Sequence, residues 1–144
     1  MVFGLPGDES QIDDALNRLA RSTFRHRQRL SQADAAEARC RGRATIRRHA
    51  EEILRDRLAP AEPANDGKQT PFRGHAVFTA QHATATCCRS CLAKWHGIEK
   101  GRAMRDDEIA FAVALILAWI DRQLDSRWQA PDRPSLALFD DTDL

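Results

Sequence analysis

The first recurring pattern along the chain is helical. Ile12, Leu16 and Leu19 return at three- and four-residue spacing among charged neighbours, and Ser10 with Asp13 supplies a polar pair that opens a helix. Residues 21–30, RSTFRHRQRL, break that rhythm as a basic connector with Phe24 and Leu30 as its apolar points. Ser31 with Asp34 predicts the start of a second helix, rich in alanine, holding Cys40 as a core residue and weakened by Gly42. A third helix is predicted over residues 43–58, with Ile46, Ala50, Ile53 and Leu54 on one face and Pro60 as its stop. Residues 59–74, APAEPANDGKQTPFRG, hold three of the six prolines and two of the seven glycines and read as a long irregular loop. Beyond the loop, Val77, Phe78 and Thr79 do not alternate, which favours helix over strand for residues 75–82. Asp106 and Asp107 open a last helix to about Arg127, apolar on nearly every side as far as Ile120, with Trp119 and Trp128 extending its face.

These elements predict an all-α fold: a single small helical domain over residues 10–128, its buried C-terminal helix wrapped by the three N-terminal ones. A Cys/His-rich loop belongs to that domain. Residues 1–9 are expected to be a flexible N-terminus and residues 129–144, with their prolines and acids, a disordered acidic tail. At 144 residues the chain can bury roughly two-thirds of its unfolded surface without staples. The longest apolar run, residues 109–120, would rise only about 18 Å as a helix against a hydrocarbon core of ~30 Å. The leading MVFGLPGDES is not basic, so no membrane partner and a cytoplasmic location are expected. In that compartment the four cysteines are not expected to form disulfides.

A net charge of +1 conceals segregation. Residues 18–57 carry twelve arginines, no lysine and five acids, and residues 68–105 carry seven bases against Glu99. Arginine in excess over lysine suits bidentate contact with phosphate, so nucleic acid or another polyanion is one expected partner. The competing reading is of solvated helix faces paired internally, as Arg47–Glu51, Arg48–Glu52 and Glu51–Arg55 would be on a helix.

The sharpest chemistry is His82-x4-Cys87-Cys88-x2-Cys91-x4-His96. Thiolates and imidazoles in one short stretch suit a zinc ion or, alternatively, an iron–sulfur cluster. Cys88-x2-Cys91 turns two thiolates toward one ion. His96 would complete three ligands of a zinc knuckle, but the fourth position holds Gly101. A further ligand would then come from Cys87, His82, His75 or elsewhere in the chain. His75 is seven residues before His82, about 10 Å along a helix axis, so both cannot reach one ion without a break. Arg89 inside the ligand turn would help to hold a thiolate charge. A deaminase-type hydrolytic site lacks its parts here: Ala76 and Val77 supply no Glu after His75, and Thr86 stands where a proline would precede Cys87. Simple core cysteines and a redox Cys88–Cys91 pair are the competing readings. Gly67-Lys68 is not a phosphate loop, because Glu62 and Gln69 occupy the other required positions.

Two stretches, LAPAEPANDGKQTPFRGH and AQHATATCCRSCLAKWHGI, resemble a small bacterial family of unknown function, DUF4186, over roughly residues 15–128. The resemblance implies that Asn65, Asp66, Gly67, Lys68, Gln69, Gly74, His75, Gln81, His82, Cys87, Cys88, Cys91, Trp95 and His96 fall on the family's motif. Ala76 departs from it where relatives tend to have proline, a residue suited to the first position of a helix. The polar loop before the cluster would, if folded over it, bring Asp66 or Lys68 beside the thiols, with Gln81 and His75 as further neighbours. The alternative is a solvent-facing turn.

In the tail, Ser135-Leu136-Ala137-Leu138-Phe139 resembles the motif by which bacterial repair and replication proteins dock on the sliding clamp, with Leu136, Leu138 and Phe139 as its apolar part. Three functions are therefore expected in competition. One is a small metal-binding protein associated with nucleic acid. Another is a thiol- or metal-dependent enzyme that uses Cys88 or Cys91 with His82 or His96. The last is a clamp-docking accessory of DNA repair.

Overall fold

A computed structural model describes residues 9–65, 67–125 and 128. Among these every regular element is an α-helix: α1 (Glu9–Leu19), α2 (Thr23–His26), α3 (Gln32–Arg41), α4 (Arg43–Arg57), α5 (Ala76–Thr84), α6 (Arg89–His96) and α7 (Asp106–Gln123). Residues 1–8 of the expected N-terminal arm, the acidic tail with Leu136, Leu138 and Phe139, and Asp66 lie outside the described residues, and Glu9 already belongs to α1. No helix among the described residues is long and apolar enough to cross a membrane.

Local chemistry sets the helix ends. Ser31 accepts a hydrogen bond from the Asp34 amide at 3.0 Å, capping α3. Gly42 closes α3 and opens α4 at φ +91° and ψ 158°, a conformation open only to glycine, so it divides two helices rather than weakening one. Before α7, the backbone amide of Arg105 donates to Glu108 at 2.9 Å. Glu108 is buried, and its carboxylate accepts two hydrogen bonds from Arg102 at 2.8 and 2.7 Å.

As expected, α7 is the buried centre. One side of it, with Ile109, Val113, Ile116 and Ile120, packs on Ile46, Ala50 and Leu54 of α4 and on Val77 and Ala80 of α5. Phe111 and Leu115 meet Ile12, Leu16 and Leu19 of α1 on another side. The expected set of wrapping helices needs correction. α3 packs mainly on α4 and α5, and α5 takes a place against α7. The cause is side-chain size. α3 buries only Ala38, which removes too little apolar area to compete for the centre, whereas α5 buries Ala76, Val77 and every residue from Thr79 to Thr84. Cys40, expected in the core, is exposed; it sits two residues after Ala38 and so points to the opposite face. The last helix ends at Gln123 rather than near Arg127. Asp125 has φ +53°, and the Trp128 indole N–H donates back to Asp121 at 2.6 Å.

Candidate metal centre

The chain enters the site through a fixed turn. Ala85 ends α5 in the left-handed region at φ +59°, and the Thr86 amide donates to the Gln81 carbonyl at 2.9 Å. The Gln81 side-chain amide donates to the Thr86 carbonyl at 3.0 Å, while the Thr84 and Thr86 hydroxyls pair at 3.0 Å. Buried polar side chains thus shape the backbone that delivers Cys87 and Cys88.

Cys88 is the N-cap of α6. Its Sγ accepts from the Cys91 amide at 3.4 Å, so the two-residue spacing brings Cys91 round one turn to face it. The Cys88 and Cys91 sulfurs are 3.3 Å apart and those of Cys87 and Cys91 3.6 Å apart. All three sulfurs lie within 4.8 Å of one another, and together they form a group that can hold a metal ion.

Two remote segments close on this triad. Arg25 of α2 is buried, and its guanidinium donates to Cys91 Sγ at 3.1 Å, to Cys87 Sγ at 3.6 Å and to the His82 carbonyl at 2.6 Å. From the loop, the Thr70 hydroxyl donates to the Cys87 carbonyl at 2.8 Å. Hydrogen bonds from Cys87, Cys88 and Arg25 pull the Cys91 thiol down to about 5. The same bond to Cys91, with burial, pushes Cys87 up, and burial pushes Cys88 up. Two thiols and a guanidinium directed at one sulfur therefore favour the thiolate on Cys91 over the other two.

The structure does not bring the two expected histidines to the sulfurs. His82 Nε2 lies 3.2 Å from the carbonyls of both Thr70 and Pro71, which only accept, so that nitrogen carries the proton. Phe72 stacks on the His82 ring at 4.0 Å and 6°, and Phe24 meets it edge-on at 6.4 Å. His96 Nε2 donates to the Thr84 carbonyl at 2.8 Å, its ring packs against Phe111, and its Nδ1 is buried with no partner among the described residues. Burial pushes the His96 ring down to about 4. Both rings serve to satisfy carbonyls around the site.

The other expected neighbours are dispersed. His75 is the N-cap of α5: its Nδ1 accepts from the Val77 amide at 3.0 Å, and its Nε2 pairs with His49 Nδ1 at 3.0 Å. Ala76 is then the first helical residue, where a proline would fit. Arg89 is buried, and its guanidinium donates to the carbonyls of Leu58, Pro60, Glu99 and Arg102. It ties α6 to the ends of two loops, and the guanidinium on the thiols is Arg25. The loop does fold against the cluster through residues 69–72, but Lys68 is exposed, and its side chain has no hydrogen bond or ion pair among the described residues. Arg25 has no local signal in the sequence, since its sulfur partners lie 62 and 66 residues away.

These features define an all-helical protein with a three-cysteine group under a buried arginine. The chain belongs to the family described as a domain of unknown function (DUF4186), whose profile matches residues 13–121. No solved structure matches the chain significantly.

Proposed function

We propose that this chain is a zinc-binding protein that holds one ion through Cys87, Cys88 and Cys91. The observation that carries the reading is the sulfur triangle. A tetrahedral ion with Zn–S bonds of about 2.3 Å has sulfur–sulfur edges of about 3.8 Å. The separations of 3.3 and 3.6 Å are within a small adjustment of that value. An iron–sulfur cluster fits less well: in a [4Fe–4S] cluster each thiolate would bind a different iron, and in a [2Fe–2S] cluster at least one of the three would sit on the second iron, so sulfurs would have to spread apart. Charge supports the same choice. Zinc with three thiolates carries one negative charge, and the buried Arg25 cancels it. The three ligands found among the described residues would leave a fourth position for water, a substrate atom or another residue.

A second reading rests on the 3.1 Å contact between Arg25 and Cys91. In metal-free protein the Cys91 thiolate is an activated nucleophile, and the cluster would act as a thiol-dependent catalyst. One preparation tests both. Protein purified anaerobically is expected to contain about one zinc per chain and no labile sulfide, with the zinc lost in Cys88→Ser and Cys91→Ser variants. Absence of metal from the purified protein, with no uptake of added zinc, would overturn the zinc reading and leave the thiolate one.

A further inference from the structure

The loop that folds against the cysteine cluster also borders a second feature. An open cleft of about 600 Å³ is lined by Arg27, Arg29, Arg73, Phe72, Asp34 and Ser31, among others. Three guanidinium groups against one carboxylate leave it net positive. Arg27 and Arg73 are exposed, and their side chains form no ion pair or hydrogen bond among the described residues. One arm of Arg29 donates to the carbonyls of His26 and Gln28 at 2.7 and 2.8 Å, which fixes the side chain and leaves the rest of its fork for a ligand.

Phe72 gives the cleft its second character. It is 61% exposed, the most exposed large apolar side chain among the described residues, yet its ring is held in place by the stack on His82. His82 is itself anchored to Thr70 and Pro71. A rigid ring presented to solvent beside unpaired arginines is a platform for another flat π-system, flanked by phosphate-binding groups.

We infer that this cleft binds single-stranded nucleic acid, with one base stacked on Phe72 and the flanking phosphates on Arg27, Arg29 and Arg73. The open shape of the site favours a strand over a free nucleotide. A small-molecule pocket encloses most of its ligand and fixes it with convergent polar groups, whereas a platform with a charged groove suits a chain that runs on past it. Duplex is disfavoured because its bases are already stacked on each other. The inference does not depend on the metal.

The test is fluorescence anisotropy of a labelled oligothymidine of about 16 nucleotides with the full-length chain at low salt. Binding is expected to weaken with rising salt. Phe72→Ala should weaken it about five-fold or more. Arg27→Ala and Arg73→Ala should each weaken it and reduce the salt slope by about 0.7. All three side chains are exposed, and circular dichroism would verify that the variants fold. Arg47→Ala/Arg48→Ala, on the exposed face of α4 and outside the cleft, should bind as the wild type does. The inference is overturned by no binding, by an equal loss in that α4 variant, by equal affinity for duplex, or by thymidine monophosphate displacing the strand at matched nucleotide concentration.

Discussion

Cys91 is where the chemistry of the site concentrates. It receives hydrogen bonds from two thiols and a guanidinium, and it ionises near 5. Metal-free protein treated with iodoacetamide at pH 6 is therefore expected to be labelled first at Cys91, as read by peptide mass spectrometry, with Cys87 slowest. Arg25→Met should slow that labelling several-fold, since each unit of rise in the thiol's pKa lowers the thiolate fraction up to tenfold. Bound zinc should protect all three cysteines. The difference between cysteine and arginine also shows what the sequence makes legible. The triad is visible because a four-residue spacing on a helix start is a local fact. Arg25 is hidden in a basic connector because nothing local marks a residue whose partners lie 57 to 66 positions away. His82 and His96 read as ligands because a sequence does not reveal which carbonyls a ring will satisfy.

At the scale of elements, caps and breaks are easier to read than packing. Ser31, Gly42 and the acidic start of α7 act through neighbours in the chain. α5 is harder, because Thr79, Gln81, His82 and Thr84 are all buried and erase the contrast between faces. Gln81 and Thr84 hydrogen-bond within the turn that leads to the thiols, so polarity there is a construction feature. Two substitutions separate the kinds of helix end. Ser31→Ala should cost about 1 kcal/mol, the usual loss of an N-cap. Gly42→Ala should cost about 1–3 kcal/mol, through backbone strain alone, because nothing lies within 4 Å of the added methyl. Urea unfolding of both variants checks the pair. An alanine at position 42 that cost nothing would mean that the α3–α4 junction relaxes.

For the whole molecule, buried groups shape the acid limb of stability, His96 and Glu108 above all, with His75 and His82 also pushed down by burial. His96 is pushed down to about 4 by burial, against about 6.5 in an unfolded chain. Between those values the unfolded chain binds a proton that the folded one refuses. The contribution is complete above pH 6.5 and is lost as the pH falls toward 4. Glu108 is pulled down to about 2 by its hydrogen bonds from Arg102, against about 4.3 unfolded, so its contribution disappears over a lower window. Stability measured by urea in the presence of a chelator should rise from about pH 3 to 6.5, and His96→Gln should flatten the upper part of that slope. Zinc at about a hundred times its dissociation constant should add about 2.7 kcal/mol, a rise in Tm of about 5–10 °C that a chelator reverses. An unchanged Tm would remove the metal from the molecule's stability.

The reach of Arg25 has a consequence in time. Its guanidinium has no seat until residue 91 exists, and 66 residues of synthesis separate the two. At about 5–20 residues per second the ribosome needs roughly 3–13 s to cover that distance, and the tunnel delays both residues equally. Once past the exit port, the segment around Arg25 waits that long with its cationic side chain in water. Stalled nascent chains long enough to expose Arg25 but too short to expose residue 91 are accordingly expected to be clipped by trypsin after Arg25, and completed chains to resist cleavage there.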